Sequence, residues 1–289
     1  MLTLNIIGAG RLGKTLAQLA QRSGYYRIGA VVCRSLAAAE AASAFVGGGE
    51  PRDSLQALPA ANLTLLAVPD GAIASVAAEL AASGGVEAGS LVFHASGVGE
   101  ASLLAPLATA GVHCASLHPA FSFAEPARAA QGFAGTRCAL EGDAAALPVL
   151  RDFAAAIGGV AFDLAPGGKA AYHAALSIAS NYLVTLHALA ARVAAQAGMT
   201  DEVAAAVLGG LMRQTLENTL ALGPPAALTG PIARGDAGTV VKHRAVLSSA
   251  DDALYCALGR ATATLAADRL DAATQTMLSQ ALLPVLRAE

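Results

Sequence analysis

The chain has 289 residues, 55% hydrophobic and only 13% charged, with a formal net charge of −3. No basic stretch argues for nucleic acid or an anionic membrane as a partner, and the length suits two domains or one large one. So little charge makes a poor monomer surface, so buried contact between subunits, as in a homodimer, is expected.

The opening "MLTLNIIGAG" enters a strand at once. It has no basic region, long apolar core or cleavage site, so no signal peptide is read and a cytoplasmic protein is expected. Apolar runs "LTLNII", "RIGAVVC", "LTLLAV", "SLVFHA", "HCASL", "TRCALEG" and "GVAFDL" read as strands, with helical patterns between several of them. Strand alternating with helix predicts a parallel, doubly wound sheet whose strands are buried. From "APGGKAAYH" onward the strands stop and helical patterns run to the end, with a loop signal at Pro166, Gly167 and Gly168. Every apolar run reads as broken by charge, Gly or Pro before about 18 residues, so no membrane span is expected. Cys33, Cys114, Cys138 and Cys256 are scattered without ligand spacing, so they are expected to be buried and reduced, and no metal is expected.

The pattern GxGxxG falls at Gly8, Gly10 and Gly13, directly after the first strand and at the start of the first helix. That context is what a dinucleotide fingerprint requires. Gly8 permits the turn, Gly10 lets the backbone approach a pyrophosphate at the helix N-terminus, and Gly13 lets the helix pack close to the sheet. Arg11 and Leu12 complete the loop. The fold class expected is therefore α/β: a Rossmann-type sheet domain over residues 1–165, then an all-helical domain over 166–289.

The second strand ends "VVCRS". A carboxylate here would hold a ribose 2′-hydroxyl and repel a 2′-phosphate. Arg34 instead suits the phosphate, with Ser35 as a hydroxyl donor and Arg11 as a second cation, so the cofactor expected is NADP. Three further strand tips carry polar or rigid groups: Val68 and Pro69 in "AVPD", His94, Ser96 and Gly97 in "FHASG", and His118 in "LHPAFSF". Val68, Pro69 and Ser96 are assigned to the cofactor and His118 to a substrate, because ligands of open sheets sit beyond the carboxyl ends of strands.

In "KAAYHAALSIASN", Lys169, His173, Ser177, Ser180 and Asn181 fall within about 120° of one another on a helix turning about 100° per residue. Ala171, Tyr172, Ala175, Leu176, Ile178 and Ala179 fall on the other side. A polar face turned into a cleft is the expectation. His173, Lys169 and Asn181 are the catalytic candidates: a histidine titrates near neutral pH, and a desolvated lysine moves toward it. Ser177 is assigned to the substrate, with a second cluster of Thr229, Gly230, Arg234, Asp236 and His243. Asp236 also has a structural role available, as N-cap of a helix from Ala237.

The stretches "IIGAGRLG", "VCRS", "AVPD", "HASG", "LHPAFSF", "YHAALSIASNYLVTL" and "ALTGPIARGDAGTVVKH" together resemble the Rossmann-like plus DUF2520 proteins. That group is similar to pyrroline-5-carboxylate reductase, 6-phosphogluconate dehydrogenase and ketopantoate reductase. The resemblance implies an NADP-binding domain, a helical domain, a dimer and an oxidoreductase, with ketopantoate as one concrete substrate. In the related hydroxyacid dehydrogenases a lysine and an asparagine stand four residues apart. Here Lys169 is in register for the lysine, but His173 takes the asparagine's place. The expected activity is NADP-dependent reduction of a small carbonyl or imine; the alternative is a sensor or scaffold that holds NADP without turnover.

Overall fold

The structure, a computed structural model, describes residues 1–283. It runs through β1 (Leu2–Ile7), α1 (Arg11–Arg22), β2 (Tyr26–Val32), α2 (Leu36–Val46), β3 (Glu50–Arg52), β4 (Leu63–Leu66) and α3 (Ile73–Ser83). Then come β5 (Leu91–His94), α4 (Ala105–Ala108), β6 (His113–Pro119), α5 (Pro126–Gly132), β7 (Arg137–Gly142), α6 (Ala146–Ala156) and β8 (Val160–Asp163). Helices follow: α7 (Lys169–Ala179), α8 (Asn181–Gln196), α9 (Asp201–Leu222), α10 (Pro224–Ala227), α11 (Ala237–Ala245), α12 (Ser249–Leu265) and α13 (Ala272–Ala281). The α/β class and the passage to helices after the last strand are as the sequence reads.

Among the described residues the strands form one sheet, in the order β3-β2-β1-β4-β5-β6-β7-β8. The order reverses between β1 and β4, the switch point at which open sheets form a crevice beyond their strand ends. The expectation of a wholly parallel sheet needs correction: β6 and β7 pair antiparallel. The reason is length. The seven residues of α5 span about 10 Å as helix, less than half the run of about 23 Å along β6. The chain therefore re-enters from the edge where β6 ended. Sequence pattern also misses α5, and β3, which has three residues and a proline.

The central strands are buried on both faces, as crossover topology demands. Leu4, Ile6, Leu65, Phe93 and Leu117 point to the layer of α1, α2 and α6, where they meet Leu16, Val46 and Phe153. Their neighbours Ile7, Leu66, Val92 and Cys114 point to the opposite layer, onto Ile73, Leu80 and Leu107. Phe93 and Phe153 meet edge to face with centroids 5.3 Å apart; full burial of such a ring contributes about 1.5–3 kcal/mol. Asn5, wholly buried, repairs an irregularity in the β1–β2 ladder. Its Oδ1 accepts from Ala30 N at 2.9 Å and its Nδ2 donates to Pro59 O at 2.8 Å.

The chain divides into two compact units, Met1–Ser180 and the part from Asn181 onward. The unit that holds the sheet thus keeps α7. The helical pattern that opens at Lys169 forms two helices, α7 and α8, with Ser180 between them at φ −114°, ψ −66°. The reading that every apolar run is interrupted also needs correction. Ala170 to Ala191 holds no charged residue, glycine or proline, and Lys169–Gln196 is long and apolar enough to cross a membrane by length and composition. Its first turn is instead tied to the sheet by the buried Lys169.

In the second unit Ile232, Val240, Leu278 and Leu282 form a small core. Beside it the Arg244 guanidinium clamps the Asp252 carboxylate with two bonds, at 2.7 and 2.8 Å. α8 and α9 each bury a single residue, Ala194 and Ala204, while Val207, Leu211, Leu216 and Leu220 of α9 stay exposed.

Candidate functional site

β1, β2, β4, β5 and β6 are mutually parallel, so their carboxyl ends share one edge of the sheet. The glycine loop occupies its centre. Gly8 has φ +89°, and a Cβ there would meet Ala67 O at 2.6 Å, so only glycine fits the turn. At Gly13 a Cβ would run into Gly8 O, which fixes the close approach of α1. Gly10 is exposed, with nothing within 4 Å of a Cβ position. It starts α1 with no side-chain cap and no acid in the first turn. The helix N-terminus therefore presents its amide groups and positive dipole end to open space, which suits an anion. Arg11 is exposed and Leu12 half-buried at the start of α1, and Arg34 is exposed after β2. Ser35 caps α2 by accepting from Ala38 N at 3.4 Å, leaving its hydroxyl proton free to donate. Val68 is half-buried and Pro69 exposed after β4.

The second half of the site lies at the ends of β5 and β6, where α7 packs. Lys169 is only 1% exposed. Its Nζ donates to Ser96 O at 2.5 Å and to Ser116 Oγ at 2.8 Å. The Ser116 hydroxyl in turn donates to Glu141 Oε2 at 3.2 Å, and the same carboxylate oxygen accepts from Ala101 N at 2.8 Å. Burial pulls the Lys169 ammonium down from 10.5 to about 8, against the pull of Glu141, Glu100 and Asp70. Ser96 is buried; its hydroxyl accepts from Val98 N and Gly99 N at 3.3 and 2.8 Å and so shapes its own turn.

One turn on, the Tyr172 hydroxyl and His118 Nδ1 are 3.1 Å apart. The His118 and His173 rings meet edge to face at 6.1 Å. Both imidazoles lie over Gly97: a Cβ there would strike the His173 ring and sit 2.9 Å from His118 Nε2. Burial, then Lys169 and His173, lower His118 to about 4. Burial also lowers His94 to about 4, helped by Lys169 and opposed by its bond to Glu100 O. Both rings are therefore neutral at pH 7. Burial raises the Tyr172 phenol to about 12, so it too stays protonated. The result is a layer of neutral donors and acceptors above a buried amine.

The helix face differs in part from the sequence reading. Lys169 is buried and His173 and Ser177 are half-buried, while Ser180 and Asn181 are exposed. Tyr172, assigned to the apolar side, turns inward to His118 because its ring packs on Phe162 at 6.0 Å. The apolar Ala171, Ala175, Ile178 and Ala179 are exposed. Asn181 opens the second unit, which also holds the whole second cluster. There Gly230 turns at φ +99° and Arg234 is exposed. Asp236 caps α11 through Thr239 N at 2.9 Å, and His243 Nδ1 meets the Tyr255 hydroxyl at 2.9 Å. Thr229, exposed, belongs to the same turn. A concavity of about 500 Å³ lies away from the site, at the amino ends of β1, β4 and β5, lined by Leu2, Asn62, Ser90 and His113.

The family Domain of unknown function (DUF2520) matches residues 136–262, and the Rossmann-like domain family matches residues 1–119. The chain carries a Rossmann-like domain followed by a DUF2520 domain. No curated protein matches this sequence. Among solved structures it is similar to a Bacteroides fragilis protein provisionally titled an NADP oxidoreductase, at 22% identity and TM-score 0.76, over 91% of this chain and 98% of that one. A Thermotoga maritima protein titled without an activity is 26% identical, with TM-score 0.64 over 96% of this chain and 98% of that one. A Coxiella burnetii pyrroline-5-carboxylate reductase is 17% identical, with TM-score 0.58 over 97% and 96%. These likenesses are of fold.

Ser116, Glu141 and Tyr172 are missed from sequence. A serine inside the buried strand "HCASLHP" is the one signal that was legible; Glu141 becomes its partner only through the antiparallel register Ser116↔Glu141.

The neutral histidines set an acid limit. Their folded pKa values lie below the unfolded 6.5, so the unfolded chain takes up protons first. Their contribution is complete above pH 6.5 and is lost as pH falls toward 4, about 3 kcal/mol for the wholly buried His94. Urea midpoints measured between pH 4 and 7 should fall steeply through that window, and His94→Gln should flatten the slope; an unchanged slope would contradict the assignment.

Proposed function

We propose that the chain is an NADP-dependent oxidoreductase that reduces a small carbonyl or imine, a 2-keto acid such as ketopantoate being the first substrate to try. The observation that carries the reading is one shared sheet edge: an uncapped helix N-terminus over Gly10 and, at the tips of β5 and β6, the His118, Tyr172 and His173 layer.

The residues fit a dinucleotide carrying a 2′-phosphate. The amides over Gly10 would hold the pyrophosphate and Arg34 and Arg11 the 2′-phosphate, and β2 ends on Val32, followed by Cys33, with no carboxylate. A bound nicotinamide supplies the hydride. His173 hands a proton to the new alkoxide or amine. The neutral His118 and Tyr172 orient the substrate's polar atom. Ser177, one turn beyond His173, adds a hydroxyl on the same face. We assign Lys169 no contact with substrate, since its amine is enclosed. The four cysteines are free, which supports a reducing compartment such as the cytoplasm. The exposed leucines of α9 support a second copy of the chain as partner.

Three measurements test this reading. Wild type should bind NADPH in preference to NADH, and Arg34→Ala should cost about tenfold in NADPH affinity while sparing NADH; equal affinity of wild type for both would remove the 2′-phosphate argument. His173→Ala should lower turnover about a hundredfold with NADPH binding intact; if no keto acid or imine in a broad panel consumes NADPH, the protein is a nucleotide sensor. Sedimentation should give twice the chain mass of 28.6 kDa, with Leu211→Glu shifting it to monomer; a monomeric wild type would refute the dimer.

A further inference from the structure

We infer that Glu141 and Ser116 are positioning residues, which hold the Lys169 ammonium charged and fixed beneath the layer formed by His118 and His173. The chain of contacts is directional. An ammonium only donates, so Ser116 Oγ must accept from it and spend its own proton on Glu141. Glu141 is held in place from the other side by Ala101 N. The result is an ion pair closed through a hydroxyl, with Lys169 1% exposed.

The arrangement acts on the site in two ways. Lys169 pins Ser96 O, and the next residue is the Gly97 on which both imidazoles rest. Its charge also repels protons from His94 and His118. The groups facing Lys169 are Glu141 on β7, Glu100 after β5, Asp70 after β4, and His94 and His118 on β5 and β6. Of the three acids, Glu141 is the one connected to the amine by hydrogen bonds. Remove it and the amine loses its hydrogen-bonded counter-charge while its burial remains. Lys169 then sheds its proton at lower pH.

The catalytic consequence rests on the reductase reading, but the charge linkage can be read without it. The lysines are Lys14, Lys169 and Lys242, so lysine ¹³Cε labelling gives three resonances, and Lys169→Met identifies the one that matters. Histidine ¹³Cε1 labelling reads His118, assigned by His118→Gln. Both titrations are run on the full chain without nucleotide or substrate. Glu141→Gln, which keeps the side chain's size and its acceptor for Ala101 N, should lower the Lys169 midpoint by about one pH unit, as should Ser116→Ala. Ser116→Thr, which restores the hydroxyl, should return it, and Lys169→Met should raise the His118 midpoint. Lys14 and Lys242 should not move. A Lys169 midpoint within about 0.3 unit of wild type in both Glu141→Gln and Ser116→Ala would overturn the inference, and the serine pair decides alone if the glutamine variant does not fold. A chain that titrates as expected but reduces nothing would refute only the reductase reading.

Discussion

A buried amine has few choices: it finds acceptors, finds a counter-charge, or gives up its proton. Lys169 does all three in part, with a carbonyl, a hydroxyl one bond from a carboxylate, and a pKa drawn down to about 8. The drop from 10.5 corresponds to about 3 kcal/mol against the charged form. A methionine would fill similar space at no such cost. What the amine provides instead is a connection between three elements distant in sequence: the turn after β5, the middle of β6 and the first turn of α7. The histidine layer rests on that connection, because Gly97 follows the pinned carbonyl.

The same constraint orders the rest of the first unit. α7 belongs with the sheet and not with the helices that follow it, since its first turn is anchored inside. The strand reversal at β7 brings Glu141 opposite Ser116; a parallel β7 would align its residues differently. The glycine loop is independent of this cluster, built from sterics between Gly8, Gly13 and Ala67. Two devices of different physical kind, one steric and one electrostatic, thus stand on one edge.

Much of this was legible in the residues. The glycine spacing after β1 marks the turn into α1 because sterics admit no other residue at Gly8 and Gly13, and Lys169 and His173 stand out in an apolar helix. The linkage between them was less legible. Glu141 lies 25 residues from Ser116, and only a strand running the unexpected way pairs them. Tyr172 reads as apolar by its ring and acts as polar through its hydroxyl. Ser180 and Asn181 share the polar sector in an ideal helix, but the backbone breaks at Ser180, so the wheel does not hold beyond it. Asp236 and Ser35 were foreseen as polar contacts for ligands or caps; each now holds a helix end.

The pairing of β7 with β6 also makes the two kinds of chain around it differ in how they tolerate insertion and deletion. The loop from Ala120 to Thr136 joins strand ends that already meet at one edge, so its length is loosely constrained, as loop-closure entropy varies slowly. Within Arg137–Glu141 there is no such latitude. Side chains alternate faces with a period of two, so losing one residue would turn Leu140 out of the core and carry Glu141 away from the serine hydroxyl. Evolution can lengthen the approach to this strand freely, but not the strand itself.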